Sequence, residues 1–220
     1  MSDKIQKRKI LIAALVTFLL LVLLYFLPVE VPHKMVFPMA ALFIFGFFLQ
    51  SWPIIVAALF SAIGDYFGDV DNLTFQIASF AVAQCMFIIY FLVRAWKRKK
   101  SGKGQVSGIW FAVVTLFAVG AYYLCASKVI PYAPAGVVRT GFYVYGGLLV
   151  TMMWSALMQK DWMWGVGAVL FVFSDCIIAI NSFVSPVPHE AEIIMGTYYA
   201  AQILIFSRAA FEQNKLLVKA

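Results

Sequence analysis

The sequence predicts an all-α fold, a polytopic membrane helical bundle with about eight transmembrane helices. Of its 220 residues, 64% are hydrophobic and only 12% are charged, and its mean hydropathy is +0.91. A soluble domain is nearer about half apolar and about a quarter charged. Apolar runs of nearly spanning length also recur along the whole chain, and basic residues cluster at their ends. Both patterns are typical of membrane helices.

Eight apolar segments are candidate spans, since a transmembrane helix needs about 20 apolar residues. Their predicted ranges are 10–27, 35–50, 53–67, 75–95, 106–127, 136–158, 162–183 and 191–211. The second and third are short, so a partly interfacial position stays open for them. Short turns such as "GDVDN" and "SPVPHE" separate the spans. The spans use up the length, so we expect a single membrane domain over residues 1–220.

The basic residues predict the orientation. With the N-terminus inside, all of the 17 Lys and Arg residues except Lys34, Lys128 and Arg139 fall in cytoplasmic segments. The positive-inside rule therefore places both termini in the cytoplasm. Cytoplasmic tails are then expected at residues 1–9 and 212–220, with a basic cytoplasmic loop at 94–105.

Charge and cysteine usage narrow the class of protein further. The net charge of +7 comes from span ends, so membrane topology explains it and no nucleic-acid partner is expected. The three cysteines, Cys85, Cys125 and Cys176, lie in apolar runs and are interpreted as unpaired thiols. The basic N-terminal segment is interpreted as an uncleaved first helix. Short loops and no retention signal favour a bacterial inner (cytoplasmic) membrane.

Two aspartates interrupt apolar helices at matching positions. Asp65 ends "LFSAIGD" and Asp175 ends "LFVFSD". Each lies roughly 18–20 Å from the cytoplasmic start of its helix, at about 1.5 Å per residue. Carboxylates inside a bilayer usually face the bundle interior or a wet cavity and are often functional. If the two meet, one serves as acid and the other as base. The alternative is that each is held by a cation and only joins helices.

Further polar pairs suggest a parallel four-plus-four internal repeat. Gln84 ends "FAVAQ" and Gln202 ends "YYAAQ", in the helices that follow the two aspartates. Both glutamines are candidate substrate contacts, with interhelical hydrogen bonding as the alternative. Lys34 and Arg139 lie at matching outer helix starts. They are candidates to bind a phosphate, and snorkelling to the interface is the alternative.

Two tyrosines complete the set of candidate substrate contacts. Tyr145 lies below Arg139 on the sixth helix, and Tyr198 lies one turn before Gln202 on the eighth. Either hydroxyl group could donate a hydrogen bond to a ligand, with aromatic packing as the alternative.

Several other chemistries lack their sequence signatures. The only histidines, His33 and His189, fall in predicted outer loops, so no buried histidine-rich zinc site is expected. There is no GxSxG nucleophile elbow and no glycine-rich phosphate loop. No metal and no cofactor are predicted, which leaves carboxylate chemistry.

The chain resembles the YhhN family of integral membrane proteins, which includes the lysoplasmalogenases. The matching segments are "ALFSAIGD", Phe80 to Gln84, Tyr145 with Met152 and Ala156, "GAVLFVFSD" and "YYAAQILI". The resemblance extends from Lys34 to about Arg208. Many members have a histidine in place of Gln84 and a tyrosine in place of Phe87.

The resemblance implies hydrolysis of the vinyl ether bond of lysoplasmalogens, with Asp65 and Asp175 as the catalytic pair. The products would be a fatty aldehyde and a glycerophospho-base. The expected partners are a lysophospholipid substrate and the surrounding membrane lipids, and no oligomeric state is indicated. Two alternatives stay open: a small-solute or proton-coupled transporter that uses the paired aspartates, and a non-catalytic lipid-binding protein.

Overall fold

The computed structural model describes residues 2–102 and 106–216, and it contains no β-strand within those ranges. Its α-helices are α1 (Ser2–Phe26), α2 (Phe37–Leu49), α3 (Trp52–Asp69), α4 (Leu73–Lys100), α5 (Gly108–Lys128), α6 (Val137–Leu157), α7 (Trp162–Phe183) and α8 (Glu190–Leu216). A short 3-10 helix spans Ile130–Tyr132. The predicted all-α class is confirmed, and each predicted segment corresponds to one helix.

The helix ends differ from the prediction mainly where the chain is basic. α7 has its predicted bounds, whereas α4 continues to Lys100 through residues 94–100, which were predicted as loop. Lys and Arg are good helix formers, and positive charge is favourable at a helix C-terminus. Similarly, α1 and α8 extend into the predicted tails. Residues 1, 103–105 and 217–220 of those segments lie outside the described residues.

Within residues 2–102 and 106–216, four stretches are long and apolar enough to cross a membrane. They are Ile5–Phe26, Leu73–Lys100, Gly108–Tyr132 and Trp162–Phe183. α2 is apolar but has only 13 residues, so at about 1.5 Å per residue it is shorter than the apolar thickness of about 30 Å. The chain is therefore an integral membrane protein in which helices of spanning length occur together with shorter ones.

The described chain divides into two compact units, and the single membrane domain over residues 1–220 stays a prediction. The first unit comprises Met1–Met86 and Ile203–Ala220, and the second comprises Phe87–Gln202. Within the first unit, α2 packs against α1 and α3; within the second, α6 packs against α5 and α7. The 3-10 helix contacts α5, α6 and α7. The four-plus-four repeat stays a prediction.

Small residues bring α3 close to its neighbours in the first unit. Its buried face includes Ala57, Ser61 and Gly64, directly before Asp65. A Cβ atom added to Gly64 would lie 2.9 Å from the ring of Phe80 on α4. The missing side chain therefore lets the Phe80 ring lie against the backbone of α3. Small residues are the usual means of close helix packing in membranes.

Candidate active site

Asp175 forms the best-defined polar cluster of the second unit. It lies on the buried face of α7, and only 9% of its surface is exposed. The Tyr145 hydroxyl group on α6 donates a hydrogen bond to Asp175 Oδ2, with an oxygen–oxygen distance of 2.5 Å. Ser174 Oγ lies 3.5 Å from Asp175 Oδ1. The same hydroxyl group also donates to the carbonyl oxygen of Phe171 at 2.8 Å, which is the shorter of its two hydrogen bonds.

The partnership of Tyr145 with Asp175 was not predicted, although both residues were candidates. Its signal was nevertheless present in the sequence. α6 and α7 are joined by a short turn and therefore run antiparallel. One stretch of chain leads from Tyr145 to the end of α6 at Leu157, and another leads from the start of α7 to Asp175. The two stretches have nearly the same length. Residues at equal distances from such a turn lie at the same height along the two helices.

Asp65 occupies an equivalent place on its own helix in the first unit. The stretch from Trp52, where α3 begins, to Asp65 has the same length as the stretch from Trp162, where α7 begins, to Asp175. Only 2% of the Asp65 surface is exposed, and Ser61 one turn earlier is completely buried. Both aspartates are thus buried as predicted. Their pairing into one acid–base site stays a prediction.

The two glutamines are buried but differ in their bonding. Gln84 on α4 has no exposed surface, and neither its amide oxygen nor its amide nitrogen has a hydrogen-bond partner among the described residues. Burying an unpaired amide group costs free energy, so Gln84 is suited to bind a polar ligand or a water molecule. Gln202 on α8 is 2% exposed and does make a polar interaction.

An aromatic cluster lies around Phe171, one turn before Asp175 on α7 in the second unit. Tyr198 on α8 packs edge-to-face on Phe171, with ring centroids 5.5 Å apart. Phe171 lies one turn before Asp175 and also meets the edge of Phe87 on α4, at 6.3 Å. Tyr198 is therefore part of an aromatic cluster, and its proposed contact with a substrate stays a prediction.

The two candidate phosphate-binding cations bond to backbone carbonyl groups; Lys34 lies between α1 and α2, and Arg139 lies in the first turn of α6. Lys34 Nζ donates to the carbonyl oxygens of Leu27 and Val29, at 3.0 and 3.1 Å. Arg139 donates twice to the carbonyl oxygen of Ala133, from Nε at 2.9 Å and from an Nη atom at 2.7 Å. Lys34 therefore stabilises the segment after α1 and Arg139 the segment before α6, and the role of each towards a headgroup stays a prediction.

One further side-chain grouping in the second unit was not predicted from the sequence. Buried Gln159 accepts a hydrogen bond from Arg94 at its side chain and one from Arg98 at its carbonyl oxygen. These bonds join the end of α4 to the α6–α7 turn. The grouping has no local sequence signature, because its members lie far apart in the chain. The three cysteines, Cys85, Cys125 and Cys176, are free thiols, as predicted.

The chemistry available to the cluster is proton transfer. Among the described residues, no group of three or more His, Cys, Asp or Glu side chains could hold a metal ion. The Asp175 carboxyl group is oriented through Oδ2 by Tyr145, and its Oδ1 has only the longer contact with Ser174. A carboxyl group held in this way can give or take a proton at Oδ1.

Comparison with known proteins identifies the family. The sequence profile described as "YhhN family" matches residues 31–209, which is most of the chain. The chain belongs to the YhhN family. The resemblance noted in the sequence is thereby confirmed, and both aspartates lie within the matched region. No solved structure matches this YhhN protein significantly.

Relatives of this YhhN protein include proteins named as lysoplasmalogenases. It is 30% identical over 165 residues to lysoplasmalogenase TMEM86A of Homo sapiens, a match that covers 69% of this chain and 62% of that protein. It is 48% identical over 61 residues to lysoplasmalogenase TMEM86B of Homo sapiens, covering 28% and 26% of the two chains. The match to TMEM86A of Bos taurus has the same identity and coverage as the human one. The YhhN chain thus spans about 62% of the length of its TMEM86A relatives.

Proposed function

We propose that this protein is a membrane hydrolase that cleaves the vinyl ether bond of lysoplasmalogens by carboxylate acid–base catalysis. The observation that carries the proposal is the buried Asp175 carboxyl group, held by Tyr145 in a chain of the YhhN family. The names of the TMEM86A and TMEM86B relatives support the choice of substrate class. The products would be a fatty aldehyde and a glycerophospho-base.

The reaction needs one acid, one base and one water molecule. The acid protonates the β-carbon of the vinyl ether, and the double bond shifts to form an oxocarbenium ion. The base removes a proton from a water molecule as the water oxygen adds to that cation. The resulting hemiacetal collapses as its hydroxyl proton moves to the leaving glycerol oxygen, which gives the aldehyde and the alcohol. The proton that the base took from water returns to the acid by exchange with solvent. Glycosidases use two carboxyl groups around a similar cation.

We propose Asp65 and Asp175 for the two carboxyl roles. Burial disfavours the ionised form of a carboxyl group, which suits a general acid at neutral pH. In the protonated form, Asp175 would accept the Tyr145 hydrogen bond at Oδ2 and carry its proton at Oδ1. Ser174 Oγ lies 3.5 Å from Oδ1 and makes the longer contact of this carboxyl group, so Oδ1 is the oxygen proposed to transfer the proton.

The remaining candidates would bind the substrate. The unpaired amide of Gln84 offers one donor and one acceptor to the glycerol hydroxyl group or to the water. Gln202, Tyr145 and Tyr198 would complete the polar contacts. Lys34 and Arg139 would bind the phosphate, a role that suits cations. We further propose a bacterial inner membrane location with both termini in the cytoplasm.

The test is fatty aldehyde release from lysoplasmenylethanolamine by the purified chain in detergent. Asp65→Asn and Asp175→Asn are each expected to lower the rate by at least about a hundredfold, because general acid–base catalysis contributes about 10²–10⁴. Asp71→Asn is the matched control. It removes an exposed carboxylate from the turn after α3, where Asn tolerates the positive φ of 55°, so the rate should not change.

Three outcomes would contradict the proposal. A folded wild-type chain that releases no aldehyde from any of several headgroup classes would exclude the activity for this member. Full activity in either aspartate variant would remove that residue from the mechanism. Loss of the folded state in both Asn variants and in Asp175→Glu would assign the carboxylates to helix packing instead.

A further inference from the structure

A long groove lies at one end of the second unit, away from Asp175. Its volume is about 730 Å³, within the range of about 300–1,000 Å³ that is usual for small-molecule sites. It follows α7 from Trp162 to Leu170 and is bordered by the start of α5 and the end of α6. Asp175 is not among its lining residues. The groove is therefore separate from the candidate active site.

The walls of this groove suit a hydrocarbon chain. Leu157, Gly165, Val166 and Val169 line it, and the two valines are 44% and 38% exposed. Gly165 lets the Leu157 side chain lie close to α7, since an added Cβ atom would lie 3.1 Å from it. In a membrane protein, such an open apolar groove on a spanning helix faces lipid.

The mouth of the groove is polar and charged, in contrast to its apolar walls. Lys160, Ser107 and Asp161 line it there, together with Trp110 and Trp162. The Asp161 carboxylate accepts a hydrogen bond from the Met163 backbone N–H, so it caps α7. The Lys160 side chain is exposed to solvent and offers an ammonium group to a ligand. Tryptophans beside polar groups are typical of the membrane–water interface.

The surrounding charge at this end of the unit is strongly positive. Arg94 and Arg98 reach Gln159, the residue next to Lys160. The last turn of α4 adds Lys97, Lys99 and Lys100. Against these cations, Asp161 is the only acidic residue in the described stretches 87–102 and 106–170. A ligand with a negative headgroup is therefore complementary to the mouth of the groove.

We propose that this groove binds one anionic phospholipid from the surrounding bilayer, with its phosphate at Lys160 and an acyl chain along α7. A productive substrate does not fit this position. The vinyl ether of a lysoplasmalogen adjoins its glycerol, so a headgroup at Lys160 would leave that bond near Trp162. Asp175 lies more than three helical turns further along α7, a distance of about 20 Å at about 1.5 Å per residue.

The experiment measures lipid binding by native mass spectrometry of the purified full chain. The probes are phosphatidylglycerol and phosphatidylcholine with identical acyl chains. One molecule of phosphatidylglycerol should bind about tenfold more tightly than phosphatidylcholine, as expected for one charge-assisted contact. Lys160→Gln should abolish that preference, whereas Lys99→Gln, which removes one charge from exposed α4, should retain it.

A second pair of variants tests the groove itself. Val166→Trp fills the groove at an exposed position and should weaken the binding of both lipids about tenfold. Val144→Trp makes the same change on exposed α6, away from the lining residues, and should have no effect. A thermal unfolding curve checks that each variant remains folded.

Three results would overturn the proposal: equal affinity for the two lipids, equal loss in Lys99→Gln and Lys160→Gln, or equal loss in the two Trp variants. Displacement of phosphatidylglycerol by a zwitterionic lysophospholipid would also overturn it, because the groove would then bind the substrate class. The experiment measures lipid binding and not aldehyde release. Failure of this proposal can therefore be distinguished from failure of the proposed activity.

Discussion

The Tyr145 hydroxyl group makes the shortest polar contact of the candidate site, and its removal isolates the contribution of one hydrogen bond. Tyr145→Phe keeps the ring, which is 6% exposed, but leaves Asp175 Oδ2 without its donor. Under the proposed function, aldehyde release should fall by about 10- to 100-fold, since a hydrogen bond to a charged group contributes about 1.5–3 kcal/mol. The rate is measured at saturating lysoplasmalogen concentration.

Tyr143→Phe is the matched control for that substitution. Tyr143 lies two residues earlier on α6, and its hydroxyl group donates to the carbonyl oxygen of Ala126 at 3.4 Å. This variant also loses one tyrosine hydroxyl group from α6, but not one that contacts a carboxyl group. Equal rates in the two variants would show that the Tyr145–Asp175 contact has no special part in catalysis.

At the residue scale, the sequence predicts that side chains are buried and that Tyr145 and Asp175 lie at the same height, but it does not predict that they are in contact. Asp65 and Asp175 were predicted to be buried because a carboxylate within an apolar helix has few other places to lie. The contact between Tyr145 and Asp175 depends on the rotation of α6 against α7, which side-chain packing decides. Likewise, Lys34 and Arg139 bond to nearby carbonyl oxygens, a choice that sequence spacing does not reveal.

At the element scale, the packing of α3 on the Phe80 ring depends on Gly64. Gly64→Ala would place a methyl group 2.9–3.0 Å from three ring atoms of Phe80, closer than van der Waals contact. Overpacking of this kind costs about 1–3 kcal/mol. We therefore expect a lower thermal midpoint in detergent for this variant. Because Asp65 is the next residue on α3, we also expect aldehyde release to fall.

Two companion variants test the cause of that destabilisation. Gly120→Ala makes the same change in the middle of α5, where an added Cβ atom meets nothing within 4 Å. Its thermal midpoint should be unchanged or slightly higher, because Ala is the better helix former. Adding Phe80→Leu to Gly64→Ala removes ring atoms and should recover part of the loss. A midpoint for Gly64→Ala equal to that of the wild type would refute the close contact.

At this scale, the sequence predicts which segments are helical more accurately than it predicts the residues at which the helices begin and end. Hydrophobic run length located each of the helices α1 to α8, and α7 has its predicted range because Asp161, its N-cap, and the prolines after Val184 mark its limits. α4 was predicted too short because its basic residues were interpreted as loop. The positive-inside rule concerns the side of the membrane on which a residue lies, and it does not say whether the backbone there is helical.

At the scale of the whole molecule, the distribution of charge predicts its direction in the membrane. Within the second unit, the basic end of α4 is bonded to the α6–α7 turn through Gln159, so these two segments lie at the same end. The loop after α7 lies at the opposite end, because α7 has 22 residues and is about 33 Å long at about 1.5 Å per residue. The positive-inside rule predicts that the first end is cytoplasmic.

Single cysteines at the two ends test this orientation. Ser101→Cys and Ser185→Cys are closely matched changes at exposed positions, made after Cys85, Cys125 and Cys176 are replaced by Ala. In sealed inside-out vesicles, a membrane-impermeant maleimide should label Ser101→Cys and not Ser185→Cys; right-side-out vesicles should give the reverse. Detergent should make both sites reactive, which controls for accessibility. Labelling of Ser185→Cys alone in inside-out vesicles would invert the topology, and the lipid-binding groove at Lys160 would then face the opposite leaflet.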